Sequence, residues 1–130
     1  MSEPSKAQRD HILIVEADRE ASKSLAAMLN ESGYQEIRSV RSTSRALAVA
    51  SQFQPAIAFL GTPAPDGIES ELAALLQKNS RTHGIRLIGL TDLAQHPTRE
   101  EARASGLERY LSKPVTQIEL DKALRKTPGN

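Results

Sequence analysis

Short continuous runs of hydrophobic residues recur along this chain, separated by longer segments in which apolar positions follow helical spacing. The runs HILIV (11–15), AIAFL (56–60) and IRLIGLT (85–91) are typical of strands that are covered on both faces, because they carry few polar positions. EIRSV (36–40) alternates apolar and polar residues, which predicts a half-exposed strand at the edge of a sheet. RYLS (109–112) predicts a short last strand.

Five amphipathic segments lie between and after these runs, at 18–33, 44–53, 66–80, 96–106 and 114–126. Helical spacing places their apolar side chains on one face. The residues predicted to face inward are Ala21, Leu25, Met28 and Leu29, then Ala46, Leu47, Ala50 and Phe53, then Ile68, Leu72, Leu75 and Leu76, and finally Leu120, Ala123 and Leu124. The fourth segment has only alanines for its apolar face, which predicts a loosely anchored helix.

The alternation of five strands with five helices predicts an α/β fold, with a parallel sheet and helices on both faces. Right-handed crossovers and an edge position for 36–40 favour the doubly wound, flavodoxin-like strand order 2-1-3-4-5. In such a sheet, ligands bind at the carboxyl ends of the strands. We therefore expect the informative residues to be Glu16, Gly61, Thr91 and Lys113, each of which ends or follows a strand.

The length of 130 residues predicts a single domain, and 17 basic against 16 acidic side chains leave a formal net charge of +1. This balance argues against a dedicated nucleic-acid-binding domain, which would carry a clustered basic excess. The absence of cysteine excludes disulfides, thiolate metal sites and cysteine nucleophiles.

No apolar run reaches the roughly 20 residues of a membrane span, and the polar first residues do not resemble a signal peptide. We expect a cytoplasmic protein. Its organisation is predicted as a flexible lead-in over 1–10, one domain over 11–126, and a frayed tail over 127–130.

The residues at the strand ends resemble those of the receiver domains of two-component response regulators, over about residues 11–126. ILIVEAD resembles the family's first strand and acidic pair, and LGTPAPDG resembles its third strand and phosphoacceptor loop. IGLTD resembles the strand that ends in a switch Thr or Ser. ASGLERYLSKP resembles the segment with a glycine turn, a switch aromatic and a Lys-Pro pair. The four pieces in this order and spacing are much more specific than any one of them.

Three positions of this resemblance concern phosphorylation itself. Glu16 matches the first acidic residue of the family and keeps its charge, whereas Ala17 matches the second, which is normally an acidic metal ligand. Gly61 matches the aspartate that receives the phosphoryl group, so the resemblance implies a degenerate phosphoacceptor position. Pro65 runs directly into Asp66 and Gly67, which indicates a shortened loop.

Other positions concern the response to phosphorylation. Thr91 matches the hydroxyl that moves toward the phosphoryl group, and Lys113 matches the lysine that contacts it. Tyr110 matches the aromatic that changes rotamer with them. Asp92 stands where the family generally has a small residue, and a carboxylate there would repel an arriving phosphoryl group.

These departures favour a degenerate, or pseudo-, receiver that signals through protein contacts and is not an enzyme. Aspartyl phosphorylation is the attack of a carboxylate on a phosphoryl donor, assisted by a metal ion. With Gly61 and Ala17 in place of two carboxylates, we expect the Mg²⁺ site to be lost and no cofactor to bind. We expect Lys113 to pair with Glu16, with Asp92 or Asp66 as further candidates, because an unpaired buried ammonium costs free energy.

Two alternatives stay open at this point. Asp66 could serve as a displaced phosphoacceptor, or the domain could sense a small molecule, such as a cyclic dinucleotide, through the emptied pocket or an arginine-bearing face. That face comprises the fourth helix, the fifth strand and the fifth helix, with Arg99, Arg103 and Arg109. The resemblance implies that it meets a kinase, an effector, a fused output domain or a second copy of the chain. We expect neither direct nucleic-acid binding nor membrane association.

Overall fold

The computed structural model describes residues 11–62, 69–91 and 99–125, without the side chains of residues 62, 69–71 and 99. Its elements alternate between strand and helix. In chain order they are β1 (His11–Val15), α1 (Arg19–Glu31), β2 (Glu36–Val40), α2 (Thr43–Phe53), β3 (Ile57–Thr62), α3 (Glu69–Lys78), β4 (Arg86–Thr91), α4 (Arg99–Ala104), β5 (Arg109–Ser112) and α5 (Gln117–Arg125). The strand bounds differ from those predicted by at most two residues.

The five strands form one parallel sheet in the order β2-β1-β3-β4-β5, which confirms the predicted doubly wound fold. Thr91 at the end of β4 is paired with Ser112 at the end of β5. Because all the strands run in the same direction, their carboxyl ends meet at one edge of the sheet. This edge gathers Glu16, Gly61, Thr91 and Lys113, as expected.

Helices cover both faces of the sheet, so the core has two layers. The layer formed with α2, α3 and α4 includes Leu13, Ala58, Leu60, Leu72, Leu76, Leu87 and Ala102. The layer formed with α1 and α5 includes Ile12, Ile14, Leu25, Leu29, Phe59, Leu90 and Leu120. Side chains alternate between the two layers along each strand, and this alternation decides on which face each site residue lies.

The helices begin and end at residues that suit those positions. Asp18 caps α1 by accepting a hydrogen bond from the backbone N–H of Glu20 at 3.0 Å. Ser42 caps α2 in the same way, from the N–H of Arg45 at 3.2 Å. Gly33 follows α1 with φ of 100°, a conformation that costs glycine little. In the three described ranges, no helix has the length and apolar character needed to cross a bilayer.

The prediction that Leu75 faces inward is wrong, because this residue is 46% exposed. Leu72, Ala73 and Leu76 are fully buried and form the inward stripe of α3. Viewed down the helix axis, Leu76 lies between Leu72 and Ala73 near the centre of that stripe. Leu75 is turned about 100° away from Leu76. Ile68, which was predicted to face inward with them, lies outside the described residues.

A polar network around Asp121 joins α1 to α5. Oγ of Ser32 donates to Oδ1 of Asp121 at 2.7 Å, and Nε2 of Gln117 donates to the same oxygen at 3.1 Å. These hydrogen bonds hold the pKa of Asp121 below its usual value; the charge of Arg125 acts with them and burial against them. The resulting stabilisation is present above the pH at which an unfolded aspartate titrates, and it is lost as the pH falls through the lowered pKa.

Arg86, at the start of β4, ties the sheet to the end of α5. Its Nε and Nη2 atoms donate to the two carboxylate oxygens of Glu108 at 2.8 and 2.7 Å, which makes a bidentate pair. Nη2 also donates to the carbonyl of Ala123 at 2.6 Å. Because the last carbonyls of a helix lack partners within the helix, Arg86 also serves as a cap for α5.

Replacing Arg86 by Lys should lower the free energy of unfolding by about 1 to 2 kcal/mol, because an ammonium cannot hold both oxygens of Glu108 in one plane. Urea unfolding followed by circular dichroism measures this change. Arg45→Lys, on the exposed surface of α2, is the matched control and should change stability by less than about 0.5 kcal/mol. An equal effect of the two substitutions would mean that the planar geometry of Arg86 is unimportant.

Candidate functional site

Glu16 places a buried carboxylate at the carboxyl edge of the sheet. It follows β1 directly, and its backbone N–H donates to the carbonyl of Val40 at 3.1 Å, which extends the β1–β2 pairing by one residue. The residue is only 3% exposed. Its Oε2 accepts a hydrogen bond from the backbone N–H of Asp18 at 3.0 Å. One oxygen is therefore satisfied by the loop that leads into α1, and the other meets a cation.

Lys113 supplies that cation. Its backbone N–H donates to the carbonyl of Thr91 at 2.7 Å, and its peptide bond to Pro114 is cis. Its Nζ lies 3.1 Å from Oε1 of Glu16, and the lysine side chain is 17% exposed. The pairing of Lys113 with Glu16 that the sequence predicts is therefore present.

The Glu16 carboxylate occupies the space beside Gly61 that a side chain at position 61 would take. A Cβ atom added to Gly61 would lie 2.5 Å from Oε1, 2.9 Å from Cδ and 3.2 Å from Oε2 of Glu16. These separations are shorter than van der Waals contact. Any residue other than glycine at position 61 would therefore require Glu16 to turn away, and the glycine and the ion pair form one arrangement.

The ion pair matters mainly through the cost of removing one partner. Desolvation offsets much of the attraction between two buried charges, so such a pair adds little compared with well-packed apolar residues. If Lys113 alone were lost, however, Glu16 would stay desolvated without an opposite charge. Each side chain is therefore stable in its present position only while the other is in place.

Thr91 is fully buried at the end of β4. Strand alternation places its side chain on the face opposite that of Leu90, toward the layer of α2, α3 and α4. The Thr91 carbonyl also accepts the backbone N–H of Lys113, which links the end of β4 to the ion pair.

Tyr110 lies with its ring against Gly89 of the neighbouring strand, with which it is directly paired. A Cβ atom added to Gly89 would lie 2.6 Å from both Cδ1 and Cε1 of that ring. Gly89 is not among the residues predicted from the sequence to belong to the site. The available signal was a glycine inside a continuous apolar strand, a position that often marks the close approach of another group.

Some predicted site residues fall outside the described part of the chain, and others are described away from the ion pair. Asp66 and Asp92 lie outside the described residues, and so does the side chain of Arg99. Arg103 is exposed on α4. The side chain of Arg109 is only 15% exposed, and its Nε lies 3.7 Å from a carboxylate oxygen of the preceding residue. The arginine-bearing face therefore stays a prediction.

The oxygen donors described at this edge do not fit a Mg²⁺ ion, which needs near-octahedral oxygen ligands with carboxylates among them. Both oxygens of Glu16 are engaged, while Ala17 and Gly61 carry no side-chain oxygen. Within 11–62, 69–91 and 99–125, no group of three or more His, Cys, Asp or Glu side chains is placed to hold a metal ion.

A groove of about 340 Å³ opens beside the ion pair, between α1 and the turn that follows β5. Its apolar walls are formed by Ala21, Leu25, Met28, Leu90, Pro114 and Val115, and its polar members are Asp18, Glu20, Ser24 and Lys113. Because Lys113 belongs to the wall, a change in its pairing alters a surface that a partner can reach.

The chain is similar to known proteins along most of its length. The family model described as the response regulator receiver domain matches residues 12–125. The polar-differentiation response regulator DivK of Brucella ovis is 29% identical over 105 residues, which cover 81% of this chain and 85% of that protein.

Solved structures share the fold. A CheY-like response regulator receiver domain protein from Methanospirillum hungatei superposes with a TM-score of 0.76 at 24% identity, over 90% of this chain and 91% of the other. The receiver domain of a sensor histidine kinase from Pseudomonas aeruginosa, which holds a magnesium ion in its active-site cleft, gives a TM-score of 0.78 at 23% identity, over 90% and 95%. At these identities the likeness shows the fold alone.

Replacing Lys113 by Met should lower the free energy of unfolding by about 2 to 4 kcal/mol, because Glu16 is left buried without its partner. Chemical unfolding of Lys113→Met, Glu16→Gln and the double variant forms a double-mutant cycle. The double variant should be more stable than the sum of the single effects predicts, by about 1 to 3 kcal/mol. Lys122→Met, at an exposed position on α5, serves as the control. Strictly additive effects would show that the pair is idle.

Replacing Gly61 by Ala should destabilise the protein by about 1 to 2 kcal/mol, because the added methyl group displaces the Glu16 carboxylate. In a Glu16→Ala background the same change should be neutral or stabilising, since alanine suits a strand better than glycine by about 0.5 to 1 kcal/mol. Thermal unfolding of the unaltered protein, Gly61→Ala, Glu16→Ala and the double variant measures the effect of the added methyl group in each background. Gly84→Ala is the control, because nothing lies within 4 Å of its added Cβ. An equal cost in both backgrounds contradicts the proximity of Glu16 to position 61.

Proposed function

This chain belongs to the response regulator receiver domain family, and from that premise we propose that it is a pseudo-receiver, a signalling module that works without becoming phosphorylated. Receiver domains act in two-component signalling, and the relatives of this chain are response regulators. One observation carries the proposal: the Glu16 carboxylate fills the space beside Gly61 and pairs with Lys113.

The first support is the absence of a nucleophile at position 61. Phosphorylation requires an oxygen that attacks phosphorus, and the glycine side chain offers none. Glu16 is a poor replacement, because it is 3% exposed and its two oxygens face Lys113 and the N–H of Asp18. A carboxylate held in this way is shielded from a phosphoryl donor, and its charge is already compensated.

The second support is the donor set. A metal ion assists phosphoryl transfer by neutralising charge, and it needs several oxygen ligands. Here the ammonium of Lys113 neutralises Glu16, and positions 17 and 61 supply no side-chain ligand. We therefore propose that the Mg²⁺ site is lost, that the domain takes no other cofactor, and that it has no enzymatic activity.

The third support is the fixed partner of Lys113. A lysine that contacts a phosphoryl group changes its surroundings whenever that group arrives or leaves. The partner of Lys113 is instead a carboxylate of the chain itself, which is in place without any phosphoryl group. Such a domain regulates its partner by binding to it, and the extent of regulation depends on the amount of the domain and on its affinity for the partner. We propose contact with a kinase, an effector or a fused output domain, or with a second copy through α4, β5 and α5, in a bacterial-type cytoplasmic pathway.

The two alternatives find less support. A small molecule that entered the space beside Gly61 would have to displace a paired carboxylate. Asp66 lies outside the described residues, and the Asp-Gly sequence at 66–67 has a simpler explanation in the tendency of this pair to form turns.

Incubation with acetyl phosphate and Mg²⁺, followed by intact mass spectrometry, should leave the mass of this protein unchanged, because position 61 carries no carboxylate and Glu16 is buried and paired with Lys113. A phosphorylatable receiver domain treated in parallel shows that the donor is active. A gain of one phosphoryl group would overturn the proposal. Loss of that gain in Asp66→Asn, Asp92→Asn or Glu16→Gln would then identify the acceptor.

A further inference from the structure

Gly89 creates an opening in the sheet that the ring of Tyr110 fills. Leu60, Gly89 and Tyr110 form one row across β3, β4 and β5. The ring packs against the core layer of α2, α3 and α4. A Cβ atom at position 89 would lie 2.6 Å from two carbons of the ring and 3.0 Å from Cδ1 of Leu107.

A glycine is costly at this position unless something uses the space. The remaining residues of β4 after Arg86 are Leu87, Ile88, Leu90 and Thr91, all larger and all buried. Glycine in a strand interior lowers stability because it gives up side-chain packing and loses more backbone entropy on folding. At Gly89 the lost packing is replaced by an aromatic ring that comes from the neighbouring strand.

The ring cannot share this space with a methyl group. The Cα of residue 89 is held in place because β4 is paired with β3 on one side and with β5 on the other. An aromatic ring moves as a rigid unit when χ1 changes. Relief of a 2.6 Å contact with two adjacent ring carbons therefore requires a change in the side-chain torsions of Tyr110 or a shift of β5.

We propose that Gly89 is a positioning residue: the space that it leaves favours a single χ1 rotamer of Tyr110, so that the face of α4, β5 and α5 keeps one arrangement even when the ion pair is broken. This inference rests on the proposed function, because it explains how a domain without phosphorylation presents a constant surface to a partner. Gly61 leaves room for the Glu16 carboxylate in the pocket, and Gly89 leaves room for the Tyr110 ring beside the face.

The two devices lie on opposite faces of the sheet. Tyr110 packs in the layer of α2, α3 and α4, whereas its neighbour Leu111 packs in the layer of α1 and α5. Lys113 has the same strand parity as Leu111, and its ammonium pairs with Glu16, which has the parity of Ile14 in that same layer. Breaking the ion pair therefore acts on the face of the sheet opposite to the ring.

Nuclear magnetic resonance of the protein with ¹³C,¹⁵N-labelled tyrosine tests this inference. Vicinal couplings across χ1 report the rotamer of Tyr110, and nuclear Overhauser effects from its ring to the Leu107 methyl groups report its position. The other tyrosine is Tyr34, and Tyr34→Phe assigns the signals. The unaltered protein should show the couplings of one staggered rotamer and clear effects to Leu107, and Lys113→Met should leave both unchanged.

Gly89→Ala should remove the effects to Leu107, change the χ1 couplings and shift the backbone amide signals of α4 and β5. Gly84→Ala is the matched control and should shift none of these signals, because its added Cβ meets nothing within 4 Å. Couplings averaged over rotamers in the unaltered protein, or a ring that moves in Lys113→Met, would overturn the inference even if Gly89→Ala did not fold. These outcomes are independent of the mass measurement with acetyl phosphate, so the two proposals can fail separately.

Discussion

The ion pair between Glu16 and Lys113 is the interaction on which the rest of the site depends. It lies at the carboxyl edge of the sheet. One oxygen of Glu16 accepts a hydrogen bond from the ammonium of Lys113, and the other accepts one from the backbone N–H of Asp18. Both groups are largely removed from water, so neither is stable there alone. Gly61 is what makes the pair possible, because any Cβ at that position would meet the carboxylate.

The parallel sheet brings the site residues together in one place. Residues distant in the chain meet at the carboxyl edge because all five strands run in one direction. Two glycines in adjacent central strands then admit side chains from elsewhere: Gly61 admits Glu16 from the end of β1, and Gly89 admits Tyr110 from β5. We propose that these two contacts give the domain one fixed pocket and one fixed face, within a family of response regulator receiver domains.

Much of the fold could be predicted from the sequence, because continuous apolar strands and helical stripes are strong local signals. The prediction for Leu75 failed because Leu72 and Leu76 leave the direction of the α3 stripe uncertain, and Ala73, a residue too small to stand out in the pattern, decides it. The meeting of Glu16 and Lys113 could be expected from opposite charges at strand ends that share one edge of the sheet. The filling of the space beside Gly61 could not, because it depends on the rotamer of Glu16. Gly89 and the Arg86 link to α5 were missed for a similar reason: both depend on partners that only the assembled sheet brings together.

We propose that the paired carboxylate of Glu16 occupies the space that a phosphoacceptor side chain at position 61 would take. A crystal structure of the protein grown with Mg²⁺ and beryllofluoride, which mimics a bound phosphoryl group, tests it most directly. We expect Oε1 of Glu16 to stay within hydrogen-bond distance of Nζ of Lys113, close to Gly61. Neither Mg²⁺ nor beryllofluoride should be bound at the carboxyl edge. A magnesium ion held there by an acidic side chain, with Lys113 turned toward beryllofluoride, would contradict it.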